Sequence, residues 1–110
     1  MPRDDAARIQ DIVDAARRIR NNVSRLDEAT FGANDVLVRA VLYDLAVIGE
    51  AAKGVTATTR SRLSTVPWSD MAGMRDVVVH QYFGIDAALV WRAASVSVPK
   101  LLDALESAHG

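Results

Sequence analysis

The sequence predicts an all-helical fold: an up-and-down bundle of four main helices plus a short helix, with residues 1–110 forming a single domain. Three observations lead there. Apolar residues recur at intervals of three and four along most of the chain, and no segment alternates with period two between hairpin signals. The three prolines and six glycines fall mostly between the periodic stretches, as short helix connections require. No internal repeat or low-complexity tract is visible.

Ile9, Ile12, Val13, Ala16, Ile19, Val23 and Leu26 form one apolar stripe over residues 5–27, with Arg8, Asp11, Asp14, Arg17, Arg18 and Asn21 on the other side. Asp4 or Asp5 is a suitable N-cap. Phe31-Gly32-Ala33 reads as a break, and Asn34-Asp35 as the cap of a second helix. That helix, Val36 to Lys53, is apolar nearly all round, as expected of a central helix. Its polar residues Arg39, Tyr43 and Glu50 therefore stand out, at offsets of four and seven on one line. The line is either a functional stripe or an internally paired Arg–Glu arrangement in the core. After Gly54 the chain turns polar, with room for one short helix around residues 58–64. Pro67 suits the first turn of a third long helix running to about Tyr82. Gly73 lies inside it and costs about 1 kcal/mol against alanine, which close helix approach would explain. Asp86 caps the last helix, whose apolar face passes through Leu89, Val90, Leu101, Leu102 and Leu105. Pro99 should kink or break it near Ser97.

Composition excludes several functions. The chain has no cysteine and two histidines, so thiolate nucleophiles, disulfide scaffolds and a multi-histidine metal site are not expected. No apolar run approaches the ~20 residues of a membrane span, and the N-terminus, which carries acids and lacks an apolar stretch, does not read as a signal peptide. A cytoplasmic protein is expected. Eleven of the thirteen basic residues are arginine, yet the net charge is −1, so a polyanion would have to be held by a local patch. Arg17, Arg18, Arg20 and Arg25 could track a backbone of phosphates, although a solvated amphipathic face is the preferred reading. Trp68 and Trp91 read as core or interface anchors. His109, next to the last residue, is expected to be disordered.

The chemistry concentrates in Met74-Arg75-Asp76-Val77-Val78-Val79-His80-Gln81-Tyr82-Phe83-Gly84. Asp76 and His80 share a helix face, while Arg75 and Tyr82 lie within about 20° of one line, roughly 10 Å apart. Arg75 and His80 diverge by about 140° on an ideal helix. They can meet on one substrate only if the helix unwinds at His80, or if two copies of the motif face each other. An imidazole moves protons near neutral pH and a guanidinium stabilises an anionic phosphorane. That pair suffices to cleave RNA through its own 2′-hydroxyl. A histidine that merely interacts with the last helix carbonyls, in an ordinary surface network with Arg75 and Asp76, is the alternative.

Arg75-x4-His80-x-Tyr82 resembles the Arg-x4-His-x-Tyr signature of the HepT-like ribonucleases, the toxin branch of the HEPN superfamily. Pro67-Trp68, Ala72-Gly73-Met74, Phe83-Gly84-Ile85-Asp86 and Val90-Trp91 resemble its flanking segments, and Ile48-Gly49-Glu50-Ala51-Ala52-Lys53 its second helix. The resemblance implies a HEPN-like homodimer with both motifs in one cleft, and metal-independent endoribonuclease activity toward RNA with no cofactor. It further implies an MntA-type nucleotidyltransferase antitoxin as partner, with which the dimer could assemble further. By position, Arg75 and His80 would be catalytic and Tyr82 the site of AMPylation. Asp76 stands where the family often has asparagine; it could orient His80 but also repels phosphate. Arg39, Glu50 and Lys53 could support the cleft. A non-catalytic helical module binding a nucleotidyltransferase is the rival reading.

Overall fold

The computed structural model describes the backbone of residues 3–80, 84 and 86–109, and the side chains of the same residues except 77–80 and 109. Helix α1 spans Asp5–Val23, and a short α2 Glu28–Gly32. The central α3 runs Asp35–Gly54, and a second short helix, α4, Ala57–Arg62. Helix α5 spans Trp68–His80. The last main helix is composite: α6 (Ala87–Arg92), a π-helical stretch (Ala93–Ser97) and α7 (Val98–His109). There is no strand among the described residues. Four main helices therefore form the bundle, as the periodicity requires, with α3 packed between α1 and α5 and α7 lying on α1.

The helix starts follow their caps. Asp4, Asp27, Asn34, Thr56 and Asp86 each accept a hydrogen bond from a backbone N–H of the first turn. Those bonds satisfy amides that have no partner within the helix. At the other end of α3, Arg60 donates to the carbonyls of Ala52, Lys53 and Val55, closing the helix with a guanidinium.

Two expectations are corrected. Helix α1 stops at Val23 rather than near residue 27. The segment read as a break at Phe31 is instead the end of α2, because Asp27 starts a new turn there. Phe31 is fully buried, its ring centroid 5.3 Å from that of Trp91, so α2 is pinned to α6 through an aromatic pair. The helical backbone of α7 extends to His109. Pro99 acts as expected, but by widening rather than breaking: the π-helical stretch immediately precedes it, and Val98 N–H bonds to Ala93 O, five residues back. Trp68 is anchored by its Nε1–H to Leu63 O.

The seam between α1 and α3 contains a buried charge. Asp44, 5% exposed, accepts from both Nε and Nη2 of Arg18, at 3.0 and 2.9 Å. Arg18 is thereby committed to the fold, and its pKa is raised by that hydrogen bond. Arg17 likewise reaches Glu106 of α7 at 3.5 Å. Arg18 thus joins α1 to α3 through a buried carboxylate, whereas the Arg17–Glu106 pair lies at the surface with both side chains about half exposed.

Asp5, at the start of α1, accepts from the hydroxyls of Thr56 and Thr59 and from Thr56 N–H, joining α1 to the start of α4. Those donors hold its carboxyl below 3.8. The folded pKa lies under the unfolded one, so the stabilisation is complete above the unfolded value and disappears as pH falls through the folded one. Asp5→Asn should therefore unfold at lower urea than wild type at about pH 7, with the gap narrowing as pH falls below the ordinary carboxylate range. A gap that persists in acid would contradict this.

Gly49 sits where α3 meets α5. A Cβ added there would lie 2.8 Å from Arg75 N and 2.9 Å from Arg75 Cβ, closer than atoms can pack. Gly73, read from sequence as the close-approach glycine, is not one: a Cβ there meets nothing within 4 Å. Gly49→Ala is expected to cost about 1–3 kcal/mol in chemical denaturation, through overpacking against a backbone. Gly73→Ala should be neutral or gain up to about 1 kcal/mol, through helix propensity. Equal effects at the two positions would contradict the assignment.

Candidate functional site

The site is built at that seam. Because position 49 has no side chain, the α3 backbone comes up against α5 at Arg75, and the next residue along α3 is Glu50. Its Oε1 lies 2.7 Å from Arg75 Nε. Both side chains remain about half exposed, Arg75 at 49% and Glu50 at 58%. The pair therefore sits at the surface, where a guanidinium can still meet a ligand. The alternative of a core-buried Arg–Glu pair on α3 does not hold: Arg39 and Glu50 do not pair with each other.

Arg39 is exposed and bonded to Asp35 one turn earlier, at 2.9 Å. It lies eleven positions before Glu50, about 16 Å along the helix axis. Within one chain the structure thus brings Glu50 to Arg75 and leaves Arg39 apart. Lys53 is exposed at the end of α3. Tyr43, on the same line, is 70% exposed. It borders an open groove between α1 and α3 with Arg3, Arg8, Ala46, Val47 and Glu50. Asp76 is exposed on α5.

The backbone of α5 stays helical through His80. The unwinding that would let Arg75 and His80 converge within one chain does not occur before His80. Their Cα positions are therefore about 7.5 Å apart along the axis and about 140° apart around it. The His80 side chain and all of Tyr82 lie outside the described residues, as do Gln81, Phe83 and Ile85.

Two residues that matter here are passed over by a sequence reading focused on Arg39, Tyr43 and Glu50. Gly49 is the first. Its signal is a glycine, costly in mid-helix, directly before an acid in an otherwise strong helix-forming run. Asp44 is the second. It lies three residues after Val41 and four before Ile48, on the buried stripe itself, where an acid needs a partner from another helix. Among the described residues, no group of three or more His, Asp or Glu is arranged to hold a metal ion. No helix there is long and apolar enough to cross a membrane.

Comparison with known proteins bears on what this arrangement is for. The family model described as "Ribonuclease HepT-like" matches residues 12–108. A protein of Methanocaldococcus jannaschii named "Putative RNase" is 34% identical over 104 residues, covering 94% of this chain and 95% of the relative. A protein of Thermococcus cleftensis named "Probable ribonuclease HepT" is 30% identical over 93 residues, 84% of each chain. One from Caldanaerobacter subterraneus, also named as an RNase, is 39% identical over 71 residues, 64% of this chain and 63% of its own. No solved structure matches the chain at a significant level. The match spans the helices that carry Glu50, Arg75 and His80, and the chain belongs to the HepT-like ribonuclease family, whose members are RNA-cleaving enzymes.

Proposed function

We propose that this chain is the toxin of a HepT/MntA-type toxin–antitoxin pair, a metal-independent endoribonuclease whose working site is shared between two copies. The observation that carries the shared site is the unbroken course of α5 through His80, which separates the two motif residues around one helix. A second copy placed across a two-fold axis brings the arginine of one chain toward the histidine of the other. It also doubles the local positive charge, in a chain whose net charge of −1 provides no general attraction for RNA.

The chemistry needs only these groups. A neutral imidazole takes the proton from a ribose 2′-hydroxyl as its oxygen attacks the adjacent phosphorus. The P–O5′ bond breaks, and O5′ leaves with a proton returned by an imidazolium. Arg75 stabilises the additional negative charge on the phosphorane. The ends produced are a 2′,3′-cyclic phosphate and a 5′-hydroxyl. Asp76, one turn before His80, is the carboxylate available to orient an imidazole. Silencing follows from the same electrostatics. The Tyr82 phenol oxygen takes AMP from ATP with release of pyrophosphate, catalysed by the nucleotidyltransferase antitoxin. The attached phosphate and nucleoside then occupy the cleft that binds RNA.

Purified wild type is expected to cut RNA in EDTA and leave 2′,3′-cyclic phosphate ends. Arg75→Ala and His80→Ala should each lower the rate by about 100-fold or more while keeping the helical circular dichroism spectrum. Cleavage by either variant at the wild-type rate would contradict the assignment. Incubated with the antitoxin and ATP, wild type should lose activity and gain the mass of one or more AMP groups. Tyr82→Phe should keep both its mass and its activity, and full silencing of that variant would contradict the role of Tyr82.

A further inference from the structure

Resting on the ribonuclease reading of Arg75, we infer that Glu50 is the positioning residue for Arg75, and that Gly49 sets the distance at which it works. An arginine side chain on an exposed helix turn has four rotatable bonds and spends little time in any one geometry. Stabilising a phosphorane requires the opposite: a donor already aimed at the place where charge will develop. Glu50 provides the restraint. Its carboxylate meets Arg75 at Nε, 2.7 Å away, on the side edge of the guanidinium. A phosphate can then be engaged bidentately through the other edge, Nη1 and Nη2.

The reach of that carboxylate is fixed by backbone rather than by flexible side chains. The Arg75 N, Cα and Cβ atoms lie 2.8, 3.2 and 2.9 Å from where a Cβ on residue 49 would be. Helices α3 and α5 cannot pack this closely with any larger residue at 49. Half-exposed ion pairs add little to stability, so the pairing is not explained as a staple of the bundle. Two adjacent residues of α3 thus act on one residue of α5: the first admits its backbone and the second holds its side chain.

Glu50 also lowers the net positive charge that RNA meets at Arg75, which separates its effect on rate from its effect on binding. Three variants measured by steady-state cleavage of a short RNA test this, each checked by thermal melting for an intact fold. Glu50→Ala should lower kcat by about 10- to 100-fold without raising KM, because the guanidinium is no longer aimed. Glu50→Gln keeps an oxygen acceptor for Nε–H and should recover most of the rate, with a KM at or below that of wild type. The Glu50→Ala/Arg75→Ala double variant should be no slower than Arg75→Ala alone, since both changes remove one function. A wild-type kcat in Glu50→Ala, with Arg75→Ala inactive, would overturn the inference and leave the site assignment standing. Glu50→Gln as slow as Glu50→Ala would also overturn it, because the carboxylate would then act through charge or proton transfer. Arg75→Ala cutting at the wild-type rate would overturn the site assignment itself, and the inference with it.

Discussion

The contact between the α3 and α5 backbones at Gly49 is the constraint on which the site depends. Helices normally stand 8–10 Å apart, separated by side chains. Here one partner has none at the crossing, and a Cβ would fall within 2.8 Å of Arg75 N. That closeness locates Arg75 on the flank of α5 facing α3. It also brings the Glu50 carboxylate within hydrogen-bonding range of the guanidinium. The rest of the bundle supports this crossing. Arg18 and Asp44 lock α3 to α1, Arg60 closes the end of α3, and the Phe31–Trp91 pair holds the short α2 against the last helix.

A rigid helix has a consequence for chemistry. Once Arg75 is held on one flank, every later position on α5 is set by rotation and rise, and five residues carry the chain most of the way to the opposite side. Arg75 and His80 therefore cannot converge along one straight helix. The proposed dimer resolves this without bending α5, and it turns a weak electrostatic field into a local one. Tyr82 follows seven residues after Arg75 in the sequence of the motif. In the proposed scheme, a group attached to it competes with RNA for the same cations.

Much of this was legible in the sequence, for identifiable reasons. Apolar spacing and side-chain caps are local signals, so Asp4, Asn34 and Asp86 marked helix starts that the structure retains. The kink expected from Pro99 appears as a π-helical widening of the last helix. What could not be read was which helix meets which, and how closely. Two mid-helix glycines look alike in sequence; only packing distinguishes Gly49, against a backbone, from Gly73, facing open space. Asp44 stands on the apolar stripe of α3 in the sequence, but its partner, Arg18 of another helix, emerges only from the packing. Likewise, Arg39 and Glu50 share a line on α3, but their partners, Asp35 and Arg75, lie on different elements and separate their roles. The motif itself was legible because its residue types and spacing are covalent facts. The family relation across residues 12–108 agrees with the fold and reaction class they implied.

In the proposed dimer one chain contributes the arginine and the other the histidine. Subunit mixing measures this directly: unfold inactive Arg75→Ala and His80→Ala chains together, refold them, and assay RNA cleavage. If the two residues act from different chains, each mixed dimer retains one intact arginine–histidine combination. Activity should then return to about a quarter of the wild-type value. Recovery of none, with mixed dimers shown to be present by mass spectrometry, would mean that arginine and histidine must come from the same chain.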